Sequence, residues 1–247
     1  MTRLYIVEGL PCSGKSSTAA FVAEELRRRG QRVRVVDEGS ASGHPADYEF
    51  HALVDGGIIA LADVPPERLP ELLPFKIYDG LPWETEAPVM LDKWRQFVHE
   101  VEEDTTCVFN CVLLQNPMCE TMMRFGMAEA ESEKHIRAIA EIISPLEPVV
   151  IYLHVSDVAS RVRETAQERP GWLEAVIPYH TEGGYGRSAG ATGFDGYIAC
   201  LQERQRREER ILARLPLQSM MLHDAHRDWA AAHERLKTAL TEGGEES

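Results

Sequence analysis

Apolar residues alternate along this chain between short continuous runs and longer stretches with helical spacing. Five runs read as strands: Arg3–Val7, Arg32–Val36, Thr106–Leu114, Val149–Val155 and Ser219–Leu222. Several are continuous rather than alternating, which is the pattern of a parallel sheet covered on both faces. Between them, apolar positions recur every three or four residues over Ser17–Arg29, Leu91–Glu103, Glu129–Ser144, Asp157–Glu168, Trp172–Tyr179, Asp195–Arg214 and Trp229–Leu240, predicting helices. Gly30 stops the first helix, and Ser156 or Asp157 caps the fourth. Strand, helix and strand within about forty residues form a βαβ unit with a right-handed crossover. The chain therefore reads as α/β, a five-stranded sheet flanked by helices in one domain over 1–247.

Two stretches break this alternation. Prolines crowd Gly43 to Pro88, where helical pieces are expected at Asp47–Ala62 and Pro66–Leu73. We read 43–90 as an insertion that carries substrate contacts. Thr181 to Gly193 holds five glycines and reads as a mobile loop, part of a lid region over 156–195. Thr241–Ser247 reads as a frayed acidic tail.

The candidate chemistry lies between the first strand and the first helix. Gly9-Leu10-Pro11-Cys12-Ser13-Gly14-Lys15-Ser16 matches G-x4-G-K-[ST] in the strand–loop–helix context that a P-loop requires. Glycines let the loop bend so that successive N–H groups face phosphate, and the helix start adds its positive dipole end. Gly9, Pro11, Cys12, Ser13, Gly14, Lys15, Ser16 and Ser17 are the candidate nucleotide-binding residues. Lys15 would reach the β- and γ-phosphates, and Ser16 would ligate Mg²⁺.

Composition narrows the partners. The 247 residues carry 26 Lys+Arg against 40 Asp+Glu, a formal net charge of −14. That balance disfavours wrapping nucleic acid or docking on anionic lipid, though a local site can oppose the global sign. No run reaches the ~18 apolar residues of a membrane span, and the N-terminus does not read as a signal peptide. Five cysteines without paired CxxC spacing suggest reduced thiols in a cytoplasmic protein. The run Glu203–Arg210 reads as a solvated helix face with i,i+4 pairing. Met122-Met123 and Met220-Met221 read as core filler.

IVEGLPCSGKSSTAAFVAEEL resembles the opening of P-loop kinases related to thymidylate and other nucleoside monophosphate kinases. ERPGWLEAVIPYHTEGGYGRSAGATGFDGYIACLQERQRRE resembles a group of functionally undefined bacterial P-loop proteins. The resemblance implies a nucleotide-kinase-like fold with a five-stranded parallel sheet. It also implies transfer of the ATP γ-phosphoryl group to a small molecule with Mg²⁺. By that resemblance, Asp37 or Glu38 at the end of the second strand would contact an acceptor hydroxyl, with His44 and Asp47 close by. Arg161 and Arg169, roughly on one helical face, would neutralise transition-state charge, while Arg163 would turn away. The alternative for Arg161 and Arg169 is salt bridging with Glu164 or Glu168. Tyr185 and Arg187 would lie on a closing loop.

The chain also departs from that pattern. There is no Asn-Lys-x-Asp guanine motif. The third strand carries Asn110, followed by Gln115-Asn116-Pro117, where many P-loop enzymes place an acid. Gln115 and Asn116 either face the site or cap the turn, and Glu8 is another candidate contributor to Mg²⁺. The expected activity is ATP/Mg²⁺-dependent transfer to a nucleoside, a nucleotide or a similar hydroxylated metabolite. A regulatory ATPase without a small acceptor and an antibiotic-modifying phosphotransferase are the alternatives. The expected partner is the small-molecule acceptor, with no nucleic acid and no membrane. A homodimer is left open.

Overall fold

The computed structural model describes residues 2–36 and 50–242. Asp37, Glu38, His44 and Asp47 therefore lie outside the described residues. A parallel sheet forms the centre. Its strands are β1 (Leu4–Gly9), β2 (Arg32–Val36), β5 (Thr105–Asn110), β6 (Val149–His154) and β7 (Gln218–His223), in the order β2-β5-β1-β6-β7. The three inner strands are buried almost throughout, as their continuous apolar runs require.

Alternate residues of β1 serve the two faces. Tyr5 and Val7 join Ala19, Val22 and Leu26 of the Lys15–Arg28 helix and Leu236 of the Trp229–Glu242 helix. Leu4 and Ile6 face the other way, toward Trp94, Phe97, Ile136, Ile139 and Ile211. Those residues belong to the helices Trp83–Glu100, Glu129–Ile143 and Gly193–Leu212. The result is three layers, with five parallel strands between two sheets of helices. Among the described residues, no helix is long and apolar enough to cross a membrane.

The structure corrects several expectations. Residues 51–60 form not a helix but a hairpin of β3 (His51–Val54) and β4 (Gly57–Ala60). Its turn is Asp55-Gly56, both with positive φ, so the Asp-Gly pair between apolar runs was the signal to weigh. The third sheet strand ends at Asn110, because Cys111 turns to φ +59 and leaves the ladder. The helix expected at Leu91 begins at Trp83 and takes Pro88 inside it.

The glycine-rich segment is not an open loop. Gly184–Ser188 is a helical turn, and Tyr185 lies beneath Arg207 with 5.2 Å between guanidinium and ring. A Cβ on Gly183 would meet the Met123 carbonyl oxygen at 2.2 Å, so the residue serves a backbone-on-backbone contact. Gly183 has an ordinary φ of −71°. Gly183→Ala is therefore expected to cost about 2 kcal/mol through overpacking alone. A melting temperature unchanged within about 2 °C would contradict the docked arrangement.

The helices of the 156–195 region also rest on the protein body. Val158 and Val162 bury with Tyr197, Ile198 and Leu201, and Trp172 and Ile177 pack against the same group.

Candidate functional site: a P-loop beside a carboxylate-lined cleft

The P-loop leaves the C-terminal end of β1 and enters the Lys15–Arg28 helix. Gly14 sits at the helix start with φ +99, and the Trp229 ring lies where its Cβ would be, 2.3 Å from the nearest carbon. Conformation and close approach both demand glycine there. Trp229 opens the last helix, so the sheet's far edge reaches back to the loop. No local pattern marked that residue.

The Ser13 hydroxyl is buried and has no hydrogen-bond partner among the described residues. Lys15 folds back, its Nζ donating to the Leu10 carbonyl at 2.9 Å. An orphan hydroxyl, a lysine parked on a loop carbonyl and a helix N-terminus together suit a phosphate anion. Ser16 and Ser17 are exposed at the helix start, and Pro11 and Cys12 are partly exposed.

Two expected arginines fall near this loop. Arg161 Nε donates to the Cys12 carbonyl at 2.8 Å, and its other end pairs with Glu164 at 3.2 Å, the salt bridge expected as the alternative. Burial pushes the Cys12 thiol up, while a hydrogen bond with Thr165 and the charges of Arg169, Lys15 and Arg161 pull it down. Arg163 instead stacks on Phe194 at 4.6 Å. Arg187 turns back to the Glu182 carbonyl rather than the P-loop.

The end of β5 meets the loop through a neutral side chain. Asn110 Nδ2 donates to Ser16 Oγ at 3.4 Å. Ser16 thus has an amide, not a carboxylate, at its side. Glu8 does not contribute there. It is fully buried, and its carboxylate accepts the backbone N–H groups of Leu113 (2.7 Å), Leu114 (3.0 Å) and Gln115 (3.1 Å). Burial raises its pKa to about 7 against these bonds. Glu8 therefore ties the strand carrying the P-loop to the turn after β5. Gln115 takes part through its backbone, and Asn116 comes next.

Asn116 lines a narrow cavity of about 20 Å³, room for little more than a water molecule, together with Tyr78, Trp83, Glu86, Glu120 and His135. Tyr78 and Trp83 come from the insertion side, and Glu120 from the π-helical stretch Cys119–Arg124. Arg124 Nη1 pairs with Glu86 at 3.2 Å and with Glu120 at 2.5 Å, and its Nη2 donates to the Leu81 carbonyl at 2.9 Å. The Trp83 ring meets His135 edge-on at 4.7 Å. Burial, then the charge of Glu120, pushes the Glu86 carboxyl up to about 10. Burial likewise raises Glu120 and lowers His135 to about 4, leaving the imidazole neutral.

The sign of the pH effect follows from Glu86. Folded protein keeps a proton that the unfolded chain gives up above its ordinary value of 4.5. Stability is therefore greatest below that value and falls as pH rises toward about 10. Glu86→Gln is expected to flatten the decline in melting temperature between pH 6 and pH 9.5. An equally steep decline in the variant would rule Glu86 out as its source.

A second polar cluster was missed. Within Glu203–Arg210, Arg204 and Glu208 are fully buried rather than solvated. Arg204 Nε lies 3.1 Å from Glu208, Arg204 Nη1 donates to Cys119 Sγ at 3.1 Å, and the Tyr152 hydroxyl donates to Glu208 at 2.7 Å. Both residues continue the stripe of Tyr197, Leu201 and Ile211, so helical spacing did mark them. The remaining charges of the run do pair on the surface, as with Arg207 and Glu203 at 2.9 Å.

The family model described as "Chromatin associated protein KTI12" matches residues 2–53. That segment spans β1, the P-loop, the first helix and β2. No curated protein matches the chain. The chain is thus similar to that family over its P-loop unit, and its five-stranded parallel sheet between helices has the architecture of a P-loop NTPase.

Proposed function

We propose that the protein binds ATP with Mg²⁺ on the P-loop and transfers the γ-phosphoryl group to a small hydroxylated or phosphorylated metabolite such as a nucleoside or nucleotide. The carrying observation is the loop itself: the Ser13 hydroxyl is buried with no partner among the described residues, Lys15 rests on the Leu10 carbonyl, and the first helix starts beside them.

In this reading the loop N–H groups, the Ser13 hydroxyl and Lys15 hold the phosphates, and Ser16 holds the metal. Bound Mg²⁺ would neutralise charge on the β- and γ-oxygens. Arg161 and Arg169 would supply the cations that neutralise charge on the transferring group. Phosphoryl transfer needs little covalent help from protein, so positioning and charge carry the catalysis. Glu38 or Asp37 would orient the acceptor hydroxyl, at the sheet edge where doubly wound folds bind ligands.

A regulatory ATPase is the second reading, favoured by one observation. Phe50, Ile58, Leu73 and Phe75 of the insertion are about half exposed, as a partner surface would be. The match to a family described as chromatin associated accords with it.

The test is incubation with γ-labelled ATP, Mg²⁺ and a panel of nucleosides, nucleotides and other hydroxylated metabolites, read by product mass. Label should move to at least one acceptor and stay on ATP when Lys15 is alanine. ATP binding without transfer to any acceptor would favour the regulator. Failure to bind any nucleoside triphosphate would sink both.

A further inference from the structure

We infer that Glu8 is a positioning residue for the metal side of the P-loop, acting through Cys111 and Asn110 on Ser16 without touching Ser16 itself. This rests on the nucleotide binding proposed above and names the residues that align its metal ligand.

The chain of contacts begins where β5 ends. Asn110 is the last β5 residue in register with β1, opposite Val7. Cys111 then turns to φ +59, its N–H donating to the Val7 carbonyl at 2.9 Å and its carbonyl accepting from the Asn116 N–H at 3.0 Å. A residue other than glycine keeps such a conformation only where its surroundings over-determine it. Glu8 supplies that constraint. Its Oε1 accepts from Leu113 and Leu114 and its Oε2 from Gln115, so three successive N–H groups of the turn close on one buried carboxylate.

The held turn orients an amide. The Cys111 thiol donates to Asn110 Oδ1 at 2.7 Å. With the oxygen committed as acceptor, the amide presents Nδ2 to Ser16 Oγ, where it donates at 3.4 Å. Ser16 carries the hydroxyl that would ligate Mg²⁺. Its alignment therefore traces back, contact by contact, to the Glu8 carboxylate.

Ionisation tests the same chain. A carboxylate accepts at both oxygens, whereas the acid turns one of them into a donor. Burial, helped by the charge of Glu208, raises the Glu8 pKa to about 7 against its three N–H bonds. Glu208 comes from the Gly193–Leu212 helix, where it pairs with Arg204 and accepts from the Tyr152 hydroxyl, and the charges of Lys15 and Glu209 also reach it. The turn should be fully held above about pH 7 and loosen below it.

The experiment measures ADP affinity of the full-length chain by calorimetry between pH 6 and pH 8.5, with Mg²⁺ or with EDTA in its place. The readout is the gain in affinity that Mg²⁺ brings. Glu8→Gln keeps one acceptor oxygen and puts a donor at the other position. In that variant the gain at pH 8.5 should fall about tenfold, while affinity in EDTA stays within about twofold of wild type. The wild-type gain should shrink as pH drops through about 7, and the variant's should not, the titration of ADP being common to both. Cys111→Ala, which leaves Glu8 in place, should lose the same gain, and Cys111→Ser, whose hydroxyl can replace the donor, should restore it. A folded Glu8→Gln with the wild-type gain would overturn the inference. So would a wild-type gain in Cys111→Ala, which decides the matter if Glu8→Gln does not fold. Equal losses with and without Mg²⁺ would also overturn it, since a purely structural role predicts them. Failure of the nucleotide reading looks different: the wild-type chain binds ADP in neither buffer, and the inference falls with it.

Discussion

Replacing Lys15 by alanine should lower phosphoryl transfer by about 100-fold or more and leave the fold intact. The two halves of that expectation come from different parts of the geometry. In the free protein Lys15 makes one bond among the described residues, to the Leu10 carbonyl at 2.9 Å, from a partly exposed position. Losing one such bond costs about 1 kcal/mol, a shift of only a few degrees in melting temperature for a chain of this size. In the reacting complex the same ammonium would face charge that grows on the transferring oxygens. Its absence should then lower kcat and kcat/KM together rather than raise KM alone. Steady-state kinetics with the best acceptor, alongside thermal unfolding, separates the two. Unchanged kcat in a folded variant would remove Lys15 from the chemistry.

The largest stability effect should come from Arg204→Ala. Arg204 and Glu208 are both fully buried, 3.1 Å apart, between the Tyr152 hydroxyl and the Cys119 thiol. Removing one partner strands the other charge away from water, at a cost of about 3–5 kcal/mol. Burial already pushes the Glu208 carboxyl up even with Arg204 present. In the variant it should take up a proton, so the loss should be smaller at pH 5 than at pH 8. Replacing both residues together, Arg204→Met with Glu208→Leu, should recover much of the stability, because two apolar side chains leave no charge behind. Thermal or denaturant unfolding of the single and double variants checks this. A single variant that loses less than about 1 kcal/mol would mean that water reaches the pair.

Much of the frame was legible because one physical rule governs it. Strands buried on both faces must be continuously apolar, and the three inner strands carried that mark, while the edge strands β2 and β7 stay partly exposed. The P-loop was legible for a different reason: backbone approach to phosphate demands particular residues at fixed spacing. The cleft followed neither rule. Glu86, Glu120 and Arg124 belong to a helix and a π-helical stretch that meet only in three dimensions. Charged residues on a helix carry no signal that says they are inward unless the apolar stripe is counted through them, as it could have been for Arg204 and Glu208. The glycines at 183, 184 and 186 were misread because close backbone packing and flexibility call for the same residue. Glu8 was a candidate Mg²⁺ contributor by its nearness to the P-loop in sequence, whereas strand alternation turns it to the face carrying Leu4 and Ile6.

The order of strands also bears on how the protein emerges from the ribosome. β1 carries the P-loop, yet its neighbours are β5 and β6, with Leu4 beside Cys107 and Tyr5 beside Val149. The strand next in sequence, β2, pairs with β5 instead. An N-terminal fragment that stops before β5 therefore has nothing to hold the first strand in a sheet. β1 completes its pairing only after about 150 residues have followed it. Closing such long loops is slow and leaves apolar strands exposed in the meantime. The P-loop is thus a late product of folding, although translation makes it before the strands that hold it.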